Sequence, residues 1–233
     1  MSVGNSTVLT NKFQCSSNIT SFGTFTVAGW FYIAALPPSG SSTPLGHGVD
    51  GTHYSHIRIS TAGAISVTTN GGTTSTGVSV AANDWVYIGI IQNSTSGTIY
   101  LSKNNAASTV TSYTADSSAS AVTTQVLNES ATNYCAIYVD HLRVWNSVLT
   151  QANLDSEKNL DVTGITSNNL RDSKLHTTAD MVGWTVAGGL TNGADDPYIT
   201  STFVAPGNTK LLVQKRRFSS DGATMLLDSR EWW

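Results

Sequence analysis

The sequence predicts an all-β fold: a two-sheet antiparallel sandwich with one short helix and a C-terminal extension. Three observations carry that expectation. From Thr24 to about Val144, short apolar runs alternate with Gly, Asn, Ser and Pro, and no stretch holds a helical period. Ser, Thr, Asn and Gly together make up about two-fifths of the chain, against about a quarter in average usage. Thr favours strands through its β-branch, while Asn, Ser and Gly disfavour helix interiors. A length of 233 residues is enough to bury one large β core. The expected division is a sandwich over residues 1–201 and an extension over residues 202–233.

The elements follow in order. Residues 25–33, FTVAGWFYI, are apolar on both faces, as in a strand inside a two-layer stack, and the run stops at Pro37 and Pro38. Residues 56–60 and 64–69 flank Thr61-Ala62-Gly63, which puts Ile57, Ile59, Ile65 and Val67 on one face of a hairpin. A Gly/Thr/Ser stretch from Asn70 to Gly77 leads on to the next strand, and within it Asn70-Gly71-Gly72-Thr73-Thr74 reads as a turn. Residues 84–91, DWVYIGII, form a second doubly buried strand, paired with residues 97–102 across a turn at residues 93–96. Residues 106–131 are poor in large apolar side chains and read as a long surface connection with one weak strand. A strand resumes over residues 136–145, and Thr150 then caps a short helix through about Lys158. Residues 161–174 read as loop, and residues 183–189, with a turn at Asp195-Asp196-Pro197, as a strand that closes the sandwich. The extension holds the densest basic cluster, Lys210, Lys215, Arg216 and Arg217, then Asp221-Gly222 as a hairpin turn, and ends on Trp232 and Trp233.

Charge and hydropathy exclude two partners. Charged residues are 12% of the chain and the net charge is −3, so no basic field exists to hold nucleic acid. The longest apolar run, residues 27–36, falls well short of a membrane span. Residues 1–6, MSVGNS, have neither a positive start nor an apolar core, so no secretory signal is read. The small polar composition is that of proteins working outside a cell. Together these point to a virion or extracellular location: virus-particle subunits reach the exterior by lysis, and a secreted chain whose signal has been removed would look the same. Cys15 and Cys135 could pair, but they form neither a disulfide framework nor a metal motif, and the simpler reading is two buried free thiols.

Four segments resemble, in order, the LamG-like, concanavalin A-like jelly-roll family. Residues 25–32, FTVAGWFY, are similar to its opening aromatic strand. Residues 84–88, DWVYI, and residues 97–101, GTIYL, are similar to two later strands, and residues 139–150, VDHLRVWNSVLT, to its I-D-x-[VL]-R-[IVL]-[YW]-N-x-x-L-[ST] segment. The resemblance covers roughly residues 22–160 and implies a jelly-roll of two antiparallel sheets stacked face to face. It leaves the activity open, because the family includes lectin-like binders, spacers, adhesins, virion proteins and, in related branches, glycosidases and lyases.

Candidate chemistry is sparse. Glycosidases of this fold carry paired acids as a tight E-x-D-x-x-E run, and the only glutamates here, Glu129, Glu157 and Glu231, stand apart. No catalytic residue is assigned, and Asp140 reads as a structural carboxylate bonded to backbone near Arg143. His47, His53 and His56 read as exposed loop histidines, since strand residues three apart face opposite sides. Asp50 and Asp195-Asp196 are thin calcium candidates, and no metal or cofactor is assigned. Asn18-Ile19-Thr20, Asn93-Ser94-Thr95 and Asn128-Glu129-Ser130 match glycosylation sequons, which so Ser/Thr/Asn-rich a chain produces by chance. Trp30, Trp85 and Trp145 read as core. His53, Tyr54 and Tyr113, placed in loops, are the glycan candidates.

The expected function is therefore non-catalytic and structural: an outer virion subunit, such as a phage capsid decoration or attachment protein, in a homo-oligomeric assembly. Arg216, Arg217, Trp232 and Trp233 are the expected contacts to partner subunits. The alternative is a lectin-like binder of polysaccharide with its site in loops around residues 46–54 and 71–76. A polysaccharide hydrolase or lyase comes third.

Overall fold

The structure is a computed structural model, and it describes residues 3–5, 12–15, 19, 21–121, 124–126, 136–161, 163–173, 184–187, 191–192, 215–218 and 225–228. The chain divides into two compact units, Met1–Thr200 and Ser201–Trp233.

The first unit is a sandwich of two antiparallel sheets. Its strands are β1 (Val3–Asn5), β2 (Lys12–Cys15), β3 (Thr24–Ala35), β4 (Ser41–Asp50), β5 (His53–Ser60), β6 (Ala64–Thr69), β7 (Gly72–Ser79), β8 (Asp84–Asn93), β9 (Ser96–Lys103), β10 (Thr109–Thr114), β11 (Thr124–Val126) and β12 (Ala136–Trp145). Helix α1 (Gln151–Glu157) follows, then β13 (Asn169–Ser173), β14 (Trp184–Ala187) and β15 (Thr191–Asn192). One sheet has eight strands in the order β10-β9-β8-β3-β12-β1-β15, with β13 also on β12. The other has seven, in the order β14-β2-β11-β4-β5-β6-β7. The second unit contains an antiparallel pair, β16 (Lys215–Phe218) and β17 (Met225–Asp228).

The two doubly apolar segments are β3 and β8, neighbours at the middle of the eight-stranded sheet. One face of that sheet supplies Phe25, Val27, Phe31, Ile33, Val86, Ile88 and Ile90 to the main core, where they meet Leu45, Ile57, Ile59, Ile65 and Val67 of the seven-stranded sheet. Its other face carries a second cluster, Trp30, Trp85, Tyr87, Tyr100 and Trp145, roofed by Leu149 and Leu154. Both faces are dry, so alternation disappears from the sequence. The predicted hairpin of residues 56–69 forms with Ile57 opposite Val67 and Ile59 opposite Ile65.

Helix α1 seals the second cluster. Thr150 Oγ1 accepts from the Asn153 N–H at 3.2 Å and Asn153 Oδ1 accepts from the Thr150 N–H at 2.9 Å, a reciprocal capping box. Trp30 Nε1 donates to the Lys158 carbonyl at 2.6 Å and Trp145 Nε1 to the Ile165 carbonyl at 2.9 Å. Below them lies buried Arg143, whose Nε donates to Asp172 at 2.8 Å and whose Nη1 donates to the Glu157 carbonyl at 2.6 Å. Arg143 Nη2 donates to the Leu160 carbonyl. Asp140 is fully buried and accepts from the His141 N–H at 2.9 Å.

Several segments differ from the sequence expectation. Residues 106–131 contain two strands, β10 and β11, and residues 161–174 contain β13. The stretches around residues 46–54 and 71–76 are mostly strand, within β4, β5 and β7. The strands β1 and β2 precede the first segment recognised as strand. The missed strands carry few large apolar side chains, because polar groups share their inward positions with isolated core residues such as Leu45, Val78 and Tyr113. In β7 one inward residue is Thr76, whose hydroxyl is bonded to the Ile65 carbonyl at 2.7 Å. Pro44 is tolerated in β4 because it falls where the register with β5 shifts. Cys135, Asp195, Asp196, Asp221, Gly222, Trp232 and Trp233 lie outside the described residues.

Candidate functional site

Alternation reappears in the seven-stranded sheet, and it identifies an open face. Along β5 the residues Ser55, Ile57 and Ile59 are buried while Tyr54, His56 and Arg58 are half-buried on the opposite side. β6 repeats the pattern, with Ile65 and Val67 inward and Ser66 and Thr68 outward. The outward face of β5 and β6 is thus a row of one phenol, one imidazole and one guanidinium beside hydroxyls.

Glycines on β4 shape the ground next to that row. Gly48 pairs with Tyr54 and Gly46 with His56. A Cβ on Gly46 would lie 3.0 Å from the His56 ring, and one on Gly48 would lie 3.3 Å from Tyr54 Cβ. Bare backbone at these two positions lets the rings lean over β4. Their centroids are 5.0 Å apart at 39°, forming one continuous aromatic surface. On the other flank Thr68 pairs with His56 and Thr73 with Thr68, the two hydroxyls 3.0 Å apart. Ser66 pairs with Arg58 and Ser75 with Ser66. Arg58 Nη1 donates to Ser41 Oγ at 3.0 Å. Burial, reinforced by the charge of Arg58, lowers the pKa of His56, so its ring is neutral at neutral pH and can both donate and accept.

The other expected site residues fall elsewhere. His53 opens β5, and its Nδ1 lies 2.9 Å from Asp50 Oδ1 at the β4–β5 turn. Asp50 also accepts from the Thr52 hydroxyl and N–H, each at 2.7 Å, and these bonds hold its carboxyl well below the usual range. Tyr113 is no loop residue: it is 6% exposed in β10, where its ring lies directly over Gly97 of β9. A side chain on Gly97 would occupy the space of that ring, and burial raises the Tyr113 pKa to about 12. His47 is likewise not exposed. It points from β4 into the core, 4.8 Å from the Phe25 ring, with Nε2 3.2 Å from Thr124 Oγ1. Among the described residues, no group of three or more His, Cys, Asp or Glu side chains is arranged to hold a metal ion. Of the four expected contacts of the extension, Arg216 and Arg217 lie on β16.

Sequence reasoning singled out Tyr54 but assigned no binding role to His56 or Arg58. The signal was present: the alternation that sends Ile57 and Ile59 inward sends Tyr54, His56 and Arg58 outward. A hollow of about 330 Å³ also exists at one end of the sandwich, lined by Ser21, Gly23, Thr24, Ser94, Ser117 and Ser118. It offers neither an aromatic surface nor a charge, so the sheet face is the stronger candidate.

Among solved structures, a native heptameric SAP-like pentraxin from Limulus polyphemus superposes with a TM-score of 0.58 at 9% identity, covering 84% of this chain and 95% of that one. A putative carbohydrate binding protein from Bacteroides ovatus superposes with a TM-score of 0.54 at 14% identity, covering 83% of this chain and 62% of that one. A sialidase from Trypanosoma rangeli aligns with 57% of this chain and 22% of its own, at 16% identity and a TM-score of 0.45. At these identities the first two likenesses are of fold. No curated protein shows significant sequence similarity to the chain. The two-layer architecture, the doubly buried central strands and a family model matching residues 5–155 agree: the chain belongs to the concanavalin A-like lectin/glucanases superfamily.

Proposed function

We propose that this protein is a non-catalytic carbohydrate-binding module whose ligand lies across the outer face of the seven-stranded sheet, over Tyr54, His56 and Arg58. The observation that carries this reading is the contiguous Tyr54–His56 surface beside the bare backbone of Gly46 and Gly48. The apolar face of a pyranose stacks on such rings, and its hydroxyls find donors and acceptors in neutral His56, Ser66, Thr68 and Thr73. The Bacteroides ovatus protein of the same fold is described as a putative carbohydrate binding protein.

A binding role without catalysis is supported by what the described carboxylates do. Asp155 accepts from Tyr100 at 2.6 Å, Asp116 from the Asn70 N–H at 2.7 Å and Glu157 from Thr163 at 2.8 Å. Asp84 accepts from the Ala81 N–H at 2.6 Å and Asp172 from Arg143 at 2.8 Å. These acids are tied into structure, and none belongs to the Tyr54–Arg58 row. The test is a glycan array probed with the full chain, followed by titration of the best ligand. Tyr54→Ala is expected to weaken binding about tenfold, which is ~1.4 kcal/mol. Unchanged binding by Tyr54→Ala, or an array with no ligand, would overturn the reading.

A second reading is an outer virion subunit, such as a phage capsid decoration or attachment protein, assembled as a homo-oligomer. The separate C-terminal unit, with Lys215, Arg216 and Arg217 consecutive on β16, favours it. Arg216 and Arg217, with Trp232 and Trp233, would anchor the chain to neighbouring subunits while the sandwich displays its open face.

A further inference from the structure

We propose that the face formed by Tyr54, His56 and Arg58 selects an acidic saccharide, whose carboxylate or sulfate docks on the Arg58 guanidinium. This rests on the carbohydrate-binding reading above and narrows it to a ligand class.

The inference starts from an imbalance among the cations. Lys103 has Asp84 at 2.9 Å, Arg143 has Asp172 at 2.8 Å, and Lys158 has Asp155 at 3.9 Å. Arg58 has no carboxylate among the described residues; its Nη1 bonds one serine hydroxyl, and its Nε is buried without any hydrogen bond. A half-buried guanidinium held by a single neutral acceptor leaves most of its five donors and its full charge uncompensated. An oxyanion supplies both, in the planar two-point geometry that Arg favours over Lys.

The surroundings suit that ligand. The register partner of Arg58 on β6 is Ser66, and beyond it on β7 stands Ser75, so further hydroxyl donors flank the cation. Successive outward residues of one strand are separated by roughly 7 Å, so Tyr54, His56 and Arg58 span a length suited to a short oligosaccharide. One ring can rest on Tyr54 and His56 while the acidic group of the same or the next sugar reaches Arg58. Asp50, at the β4–β5 turn beyond Tyr54, has its carboxyl engaged by Thr52 and His53. The acidic group is therefore read at the Arg58 end of the row.

The test uses the full chain and two ligand pairs that share a sugar backbone and differ in the anionic group: polygalacturonate against its methyl ester, and dextran sulfate against dextran. The first pair probes a carboxylate and the second a sulfate. Wild type is expected to bind at least one acidic member about tenfold more tightly than its neutral counterpart. Arg58→Gln should remove that preference by lowering affinity for the acidic member about tenfold more than for the neutral member, and Arg58→Lys should restore part of it. Thermal unfolding of each variant establishes that the sandwich is intact. Equal affinity for acidic and neutral members, or binding to neither acid, overturns the proposal. So does a preference kept by Arg58→Gln but lost in a variant carrying Arg216→Gln and Arg217→Gln, which would place the anion on the C-terminal unit. Tyr54→Ala separates the two layers: if it weakens both members while Arg58→Gln changes nothing, the carbohydrate reading stands and only the acid selectivity falls.

Discussion

His47 and His56 sit one strand apart in the same sheet, yet the pleat gives them opposite fates. His56 stands on the outward face beside a cation, whereas His47 is fully buried against Phe25. Burial, with a smaller contribution from His56, pushes the His47 pKa down to about 3. In the unfolded chain the same group would take up a proton near pH 6.5. The unfolded state therefore binds the extra proton between these values. Stability is full above about pH 6.5 and falls as the pH drops toward 3, by about 2 kcal/mol at pH 5 from this group. Denaturant unfolding at pH 7 and pH 5 should show that loss in wild type, and His47→Gln should flatten the slope by about one proton. An unchanged slope would mean that His47 is reachable by water. Neither His47 nor Tyr113 could be placed from the sequence, because a polar side chain in a Thr- and Gly-rich strand gives no sign of which face it takes.

At the scale of elements, the decisive contrast lies between two kinds of strand. The strands β3 and β8 are apolar on both faces because α1 and the chain after it cover the sheet's outer side, so these residues were readable as buried. The strands β5 and β6 alternate because their outer residues stay only half-buried among the described residues, and that alternation locates the candidate site. What holds the cover in place is Arg143, which donates to Asp172, to the Glu157 carbonyl at the end of α1 and to the Leu160 carbonyl just after it. Arg143→Ala leaves buried Glu157 and half-buried Asp172 without their cation and should cost about 3–5 kcal/mol in chemical denaturation. Tyr54→Ala, on the open face, should change stability by no more than about 0.5 kcal/mol. If both variants cost the same, the distinction between sealed and open faces is wrong. The N-cap of α1 was legible from Thr150, since a cap is a local signal, but the Arg143 network joins residues far apart in sequence.

At the scale of the whole molecule, the chain consists of a sandwich unit and a small C-terminal unit with its own strand pair. Removal of residues 202–233 is expected to leave the thermal midpoint of the sandwich within about 2 °C, because every described residue of its two cores precedes that point. The same deletion should abolish assembly if the C-terminal unit anchors the chain, measured as loss of the oligomeric species in light scattering. Retained assembly would count against the anchoring role while leaving the glycan reading untouched. The amino-acid sequence alone determined the fold family, the central strands, the hairpins of residues 56–69 and 84–102 and the helix cap, because each is written in local period, turn chemistry or a recurring segment. Only the tertiary structure decided that residues 41–50 and 72–79 are strands, and that Tyr113 and His47 are interior. It also brought Tyr54, His56 and Arg58 together beside two glycines. Those outcomes depend on which strand lies next to which and which face stays uncovered, and pairing between distant segments leaves no periodic trace in strands built from Ser, Thr and Gly.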